Sequence, residues 1–330
     1  CYVPYSYRKK RELKTKEVFS ILRQLKEMGC FYLGFTGGEP FMRKDLIDIL
    51  WFAKRMGFEL IIYTNGSLIN EEIAQELQRL RPNKVDITIP AMSKNAFERI
   101  TGLIGSRDKI FKTINLLYKN EVNLGFKTCV LKENESEIKE IQDFTHSLGA
   151  LHRLDDMLSL RLDGSGEPYK YRGVLKENLV ASRKSYVVGD NLEVEGQKSD
   201  CDSQVDNQRR QTNNLFKCGV GISQAAITPL GELKMCLMID YPKYKISIGR
   251  KSQWPGLKAA WEKLKELTLS IKPDGNYRCD KCNFYAYCNW CPAKGWLENR
   301  SFTICDPESR RKAERISQTL KLPSNKKRKL

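Results

Sequence analysis

Histidine is nearly missing from this chain: there are two in 330 residues, His146 and His152. Mononuclear catalytic zinc sites draw heavily on imidazole, so this scarcity argues against one. Long apolar runs are missing as well. No stretch approaches the ~20 residues that span a bilayer, so the expectation is no membrane association and a cytoplasmic location. No signal peptide is visible. The chain opens on Cys1-Tyr2-Val3 without an initiator Met, which reads as a fragment. Acidic residues are in deficit, 40 Asp and Glu against 57 Lys and Arg, for a net charge of +17. The basic residues are spread along the chain, with a small concentration at Lys326, Lys327, Arg328 and Lys329. A solvated surface with a frayed terminus is the plainer reading. An acidic partner is the sharper one.

Cysteine is the abundant exception, with 11 residues. Seven fall near the C-terminus: Cys218, Cys236, Cys279, Cys282, Cys288, Cys291 and Cys305. From Cys279 to Cys291 they read C-x2-C-x5-C-x2-C. Cys218 and Cys236 form C-x12-G-x4-C through Gly231. Disulfide scaffolds belong to small secreted domains with dispersed cysteines, whereas ligand-like spacing in a long chain points to metal or cluster ligation. Seven thiols exceed one four-coordinate centre and imply two centres, with one ligand supplied from elsewhere or one position open.

Apolar runs alternate with helical patterns from Leu13 to about Asp163. Helices are expected at Thr15 (as cap) through Met28, at residues 44–56, after the cap Asn70, around Ile110 to Leu117, and after an Asn134–Glu137 capping box. Strands are expected at residues 31–35, 59–63, 84–89, 122–131 and 157–162. This βα order implies a parallel sheet with right-handed crossovers, as an open barrel or a doubly wound sheet, with ligands at the C-terminal strand ends. The strand preceding the first helix would lie upstream of Cys1. Residues 164–217 turn polar and read as linker and loops, with a short hairpin around 185–195. A cysteine-rich region follows to about residue 310. Glu308 opens a charged helix, and the tail after Leu322 reads as disordered.

Two loops carry chemistry. Thr36-Gly37-Gly38-Glu39-Pro40 follows the first visible strand and Thr64-Asn65-Gly66 follows the second. Paired glycines let a ligand approach the backbone, and Glu39 is an acceptor suited to an ammonium. Both loops would face one mouth. A cysteine beside an aromatic residue, then a strand ending in Gly-Gly-Glu-Pro, then one ending in Thr-Asn-Gly, resembles the radical S-adenosylmethionine superfamily. The seven-cysteine array resembles the SPASM extension of many such enzymes, and departs from it only in the two residues, not three, between Cys288 and Cys291.

The resemblance implies a partial (β/α)6 TIM-like barrel over residues 1–163, lacking its first strand here. A linker over 164–217 and an iron–sulfur domain over 218–310 would follow, with a helix end and basic tail over 311–330. It implies S-adenosylmethionine and [4Fe-4S] clusters as cofactors. Cys1 takes the place of the third radical-cluster cysteine. The other two would lie upstream, so the chain as given would not assemble that site or be active. Cys218, Cys236 and Cys291 would hold one auxiliary cluster, and Cys279, Cys282, Cys288 and Cys305 a second. For the missing ligand, Cys201, a free Cys201 with another donor, and an open iron stand as alternatives. Gly37, Gly38, Glu39 and Pro40 would meet the methionine amino group, and Thr36, Thr64 and Asn65 lie beside them. Thr88 and Lys127 would touch the cofactor and its carboxylate, the plainer reading of both being strand alternation. Cys30 and Cys129, inside apolar elements, read as core.

Such an enzyme cleaves S-adenosylmethionine to a 5′-deoxyadenosyl radical, which takes hydrogen from the substrate, and a flavodoxin or ferredoxin supplies electrons. The resemblance favours a peptide or protein substrate, matured by oxidation or crosslinking. The alternative is a small anionic molecule of haem or cofactor biosynthesis. Leu237, where sulfatase-maturing members carry Asp, argues against that activity, and nearby Asp240 has no assigned part. The competing class is a zinc-ribbon protein that binds nucleic acid, but such a protein has no need of the two strand-end loops.

Overall fold

The structure, a computed structural model, describes residues 11–174, 215–216, 218–248, 256–288 and 290–319. Cys1, Cys201, the hairpin expected at 185–195 and the tail after Leu322 lie outside the described residues. One compact unit holds Arg11–Leu158 and the segment from Glu167. A second holds Ser159–Gly166 and the described chain from residue 215 onward.

The first unit alternates helices and strands: α1 (Thr15–Glu27), β1 (Tyr32–Phe35), α2 (Leu46–Arg55), β2 (Glu59–Thr64), α3 (Glu71–Leu80), β3 (Lys84–Thr88), α4 (Lys94–Thr101), α5 (Ser106–Lys119), β4 (Leu124–Cys129), α6 (Ile138–Ser147) and β5 (Leu151–Asp155). All neighbouring strands are parallel, in the order β1-β2-β3-β4-β5. A doubly wound sheet reverses its strand order at a switch point. This one never reverses, so successive right-handed crossovers place their helices on the same side. The fold is therefore α/β, a partial barrel wound in one direction.

Strand alternation gives the sheet two different faces. Leu60 and Ile62, Val85 and Ile87, and Phe126 share one parity and are fully buried or nearly so. With Leu50, Ala53, Leu77, Ile114 and Leu117 from the helices they make the core. Each large side chain buried there contributes roughly 1.5–3 kcal/mol. The other parity carries Gly34, Tyr63, Lys84, Asp86, Thr88, Lys127, Arg153 and Asp155. This is the polar, concave side of the barrel.

Several expectations are corrected. The last strand is Leu151–Asp155, and residues 157–162 form none. Leu151-His152-Arg153 alternates too mildly to stand out beside the apolar run after Met157, but its pairing with β4 decides the matter. Thr15 is not the cap of α1. Lys14 holds that position, with its N–H donated to Glu17 Oε2 at 2.6 Å, while the Thr15 hydroxyl donates to Asp45. The Asn134–Glu137 pair is not a capping box. Asn134 Oδ1 accepts the Leu131 N–H at 2.8 Å, and its Nδ2 donates to the carbonyls of Pro90 and Cys129. Glu137 instead accepts the N–H groups of Met92 and Ser93 and the Ser93 hydroxyl. Both side chains fasten the loop after β3 to the loop after β4. Asn70 does cap α3, accepting the Ile73 N–H at 2.9 Å.

The second unit has a small antiparallel sheet of β6 (Ala226–Ile227), β7 (Glu232–Lys234) and β8 (Lys245–Ser247). Its helices are α7 (Gly256–Ser270), α8 (Pro292–Asn299) and α9 (Pro307–Thr319). Tyr244, Trp296 and Phe302 form an aromatic centre, with Trp296 stacked on Phe302 at 4.6 Å between ring centroids. Among the described residues no helix is long and apolar enough to cross a membrane.

Candidate cofactor and cluster sites

Because the five strands are parallel, their C-terminal ends share one edge of the sheet. Thr36, Gly37 and Gly38 leave β1 at that edge and are exposed. A Cβ added to Gly37 or Gly38 meets nothing within 4 Å, so open space lies over both peptide units. Glu39 turns the other way. Its Oε1 accepts the Thr64 hydroxyl at 2.7 Å and the Phe41 N–H at 3.2 Å, and its Oε2 accepts the Asn65 N–H at 2.7 Å. Pro40 is buried and opens a short 3-10 turn that Glu39 caps. Thr64 Oγ1 also accepts the Gly66 N–H at 2.9 Å, and Asn65 Oδ1 accepts the Ser67 N–H at 2.8 Å. One carboxylate therefore ties the Gly-Gly loop to the Thr-Asn loop.

Thr88 is exposed at the end of β3 and is the register partner of Lys127 on β4. Lys127 is not a lone cation: its Nζ lies 3.2 Å from Asp155 Oδ2 at the end of β5. Asp86, two residues below Thr88, is 4% exposed and pairs with Lys84 at 3.4 Å and Arg153 at 3.7 Å. Its Oδ1 is buried without a hydrogen-bond partner. Asp86, Arg153 and Asp155 were missed by sequence reasoning. The signal lay in the alternation Lys84-Val85-Asp86-Ile87-Thr88, which puts every polar residue on one parity. Arg153 and Asp155 were hidden because their strand was expected elsewhere.

Behind this face, His152 Nε2 lies 2.9 Å from Thr128 Oγ1, which donates its own proton to the Ile89 carbonyl at 2.7 Å. Nε2 therefore carries the ring proton, and the buried Nδ1 has no partner. Burial is the main cause that pulls the His152 pKa from 6.5 down to about 4.

In the second unit the described cysteines are all free thiols. Electrostatic coupling sorts them into two groups. Cys236 feels Cys291 and Cys218, and Cys291 feels Cys218. Cys305 feels Cys288, Cys279 and Cys282. Burial is the first cause of the upward shifts, to about 11 for Cys236 and about 12 for Cys305, and it raises Cys291 as well. Among the described residues no three His, Cys, Asp or Glu side chains close on a single metal ion. The two observations fit one donor set. Ligands of a four-iron cluster sit on the outer corners of a cube, further apart than ligands of one ion. The thiols of each group are near enough to feel one another as thiolates, as the ligands of one cluster would.

Cys30 and Cys129 are only partly buried, so neither is the core residue expected. Cys129 ends β4 on the concave parity. Asp240 is occupied by ion pairs with Lys234 at 3.1 Å and Lys245 at 3.4 Å. A hollow lined by Thr15, Phe19, Trp51 and Glu76 lies on the helical side, away from the strand ends.

Residues 1–145 match the family model described as the Radical SAM superfamily. The chain is 28% identical over 132 residues to the Fe-coproporphyrin III synthase of Methanosarcina barkeri, covering 40% of this chain and 33% of that protein. It is 28% identical over 143 residues to the PqqA peptide cyclase of Gluconobacter oxydans, covering 43% of this chain and 40% of that one. The chain thus spans about a third to two fifths of the length of these relatives. Among solved structures, Streptococcus suis SuiB bound to S-adenosylmethionine superposes with a TM-score of 0.67 at 16% identity, over 94% of this chain and 72% of SuiB. SuiB has also been seen bound to its precursor peptide SuiA, where the TM-score is 0.64 at 16% identity, over 94% of this chain and 71% of SuiB. S-adenosylmethionine and [4Fe-4S] clusters are the cofactors of the matched family. With the family model over residues 1–145 and a sheet wound in one direction, the first unit is a radical S-adenosylmethionine domain.

Proposed function

We propose that this protein is a radical S-adenosylmethionine enzyme that modifies a peptide or protein substrate. The observation that carries the reading is the shared edge where the open Gly37–Gly38 backbone, the Glu39 tie and the Thr88–Lys127 row meet. In this reading the peptide groups of Gly37 and Gly38 receive the methionine amino group, and Pro40 fixes the exit of that loop. Glu39 holds the loop against Thr64 and Asn65, and Thr36 rims it. Thr88 offers a hydroxyl to the cofactor. Lys127, with Asp155 fixing its ammonium, offers a cation to the methionine carboxylate. When bound, S-adenosylmethionine and its cluster supply one-electron chemistry strong enough to take hydrogen from an unactivated C–H bond. The chain's own residues orient the cofactor and keep the concave face ordered.

Cys218, Cys236 and Cys291 hold one auxiliary cluster in this reading, and Cys279, Cys282, Cys288 and Cys305 the other. Cys1 is one of the radical-cluster ligands in this reading, and Cys201, another donor or an open iron fills the remaining position of the first auxiliary cluster. A peptide is favoured because the peptide cyclase is among the relatives and the fold shared with SuiB covers both units. The Fe-coproporphyrin III synthase relative favours a carboxylated macrocycle as second reading, and the net charge of +17 suits that or an acidic peptide equally. Anaerobic purification with iron, sulfide and zinc analysis tests the cluster assignment, and a colourless protein holding only zinc overturns it. Reductive cleavage of S-adenosylmethionine by the full-length protein tests the activity. Deuterium transfer from labelled peptide or labelled tetrapyrrole then separates the two substrates.

A further inference from the structure

Lys294 is a lysine with 3% of its side chain exposed. It sits in the first turn of α8, whose N-cap is Cys291, and its N–H donates to the Cys291 carbonyl at 3.0 Å. Its Nζ reaches Asp306 Oδ1 at 3.0 Å, Glu308 Oε2 at 3.0 Å and Glu298 Oε1 at 3.7 Å. Asp306 directly follows Cys305 and is 2% exposed. It accepts the Ser309 N–H at 2.9 Å and the Ser309 hydroxyl at 2.7 Å at the start of α9. Gly295, the next residue of α8, allows this closeness: a Cβ there would stand 2.9 Å from the Ile304 carbonyl and 3.0 Å from that of Ser301.

A buried lysine with three carboxylates is costly unless something requires it, because apolar residues of similar volume usually pack at least as well. Here the pair has one end in each cysteine group. Lys294 lies in the turn that Cys291 caps, and Asp306 follows Cys305, whose Sγ donates to the Asp306 carbonyl at 3.4 Å. A fixed positive charge favours the reduced, more negative form of a nearby cluster, and a fixed negative charge disfavours it.

We infer that the buried Lys294–Asp306 pair sets a redox order between the two auxiliary sites, making the Cys218/Cys236/Cys291 site the more easily reduced. Lys294 is a positioning residue in this role, since it ligates nothing. The inference rests on both cysteine groups holding iron–sulfur clusters.

The test is a potentiometric titration of the reconstituted full chain, followed by EPR, with iron and sulfide counted on every sample. K294M lowers the potential of the Cys291 site, D306N raises that of the Cys305 site, and each narrows the gap between them. Asn caps helices as well as Asp, so D306N changes charge while α9 keeps its cap. K294R, which keeps the charge, retains the gap. E308Q, at the rim with 18% exposure, raises the Cys305 site by less than D306N and serves if K294M does not fold. Unchanged potentials in D306N and E308Q at full iron content, or a wider gap in D306N, overturn the inference. Wild-type protein without iron overturns the cluster assignment itself, a separate result.

Discussion

His152 offers a prediction whose size follows from the structure. Its ring is 2% exposed, donates through Nε2 to Thr128, and has no acceptor need met at Nδ1. Protonation would place a charge in the core beneath β3, β4 and β5. In the unfolded chain the ring titrates near 6.5, in the folded chain at about 4. Between those values the unfolded state binds the proton and the folded state does not. Stability is therefore intact above the unfolded value and falls as pH drops through the window. The complete loss, below the folded value, is roughly 3 kcal/mol, and about 2 kcal/mol is already gone at about pH 5. Urea midpoints of wild type and H152Q, measured between about pH 7.5 and pH 5, isolate the effect, because the rest of the titration cancels in the difference. Gln keeps a donor for Thr128 and does not titrate in this range. H152Q is expected to lose about 2 kcal/mol less than wild type across that interval. Parallel pH profiles would refute the reasoning, as would an NMR titration of the His152 ring near its ordinary value.

E39A removes the acceptor of three donors, one on the buried Thr64; hydrogen bonds to a charged group are worth roughly 1.5–3 kcal/mol each, so urea unfolding should show a loss of at least ~2 kcal/mol. Equilibrium dialysis should show S-adenosylmethionine affinity falling by about tenfold or more, or ~1.4 kcal/mol. K127M separates binding from stability: its ion pair with Asp155 is about a third exposed, so stability changes by under ~1 kcal/mol while cofactor affinity drops. N134A strands the Leu131 N–H and the Pro90 and Cys129 carbonyls, and thermal melts should register a loss of about 2–4 kcal/mol. G295A gains up to ~1 kcal/mol of helix propensity but drives a methyl into two backbone carbonyls; a net loss of ~1–3 kcal/mol is expected, and a stabilised variant would contradict the packing.

The amino-acid order alone determined the parallel α/β architecture and the placing of both loops at one edge. Period-two and period-3.6 patterns are local, and loops that follow parallel strands have to emerge on the same side. The ligand spacing of the cysteines is also local, so more than one centre is an expectation that needs no coordinates. The final strand was not, because Leu151-His152-Arg153-Leu154-Asp155 becomes a strand only by pairing with β4. Asn134 and Glu137 show the same limit. Their spacing fits a capping box, yet their partners lie more than forty residues away at Pro90, Met92 and Ser93. Glu39 looked like a free acceptor and is occupied by donors from another loop. Lys294 gave no sequence signal at all, since its burial and its carboxylate partners exist only once α8 and α9 are brought together. Spacing can name the residues that serve a site, but long-range pairing decides which charges face them.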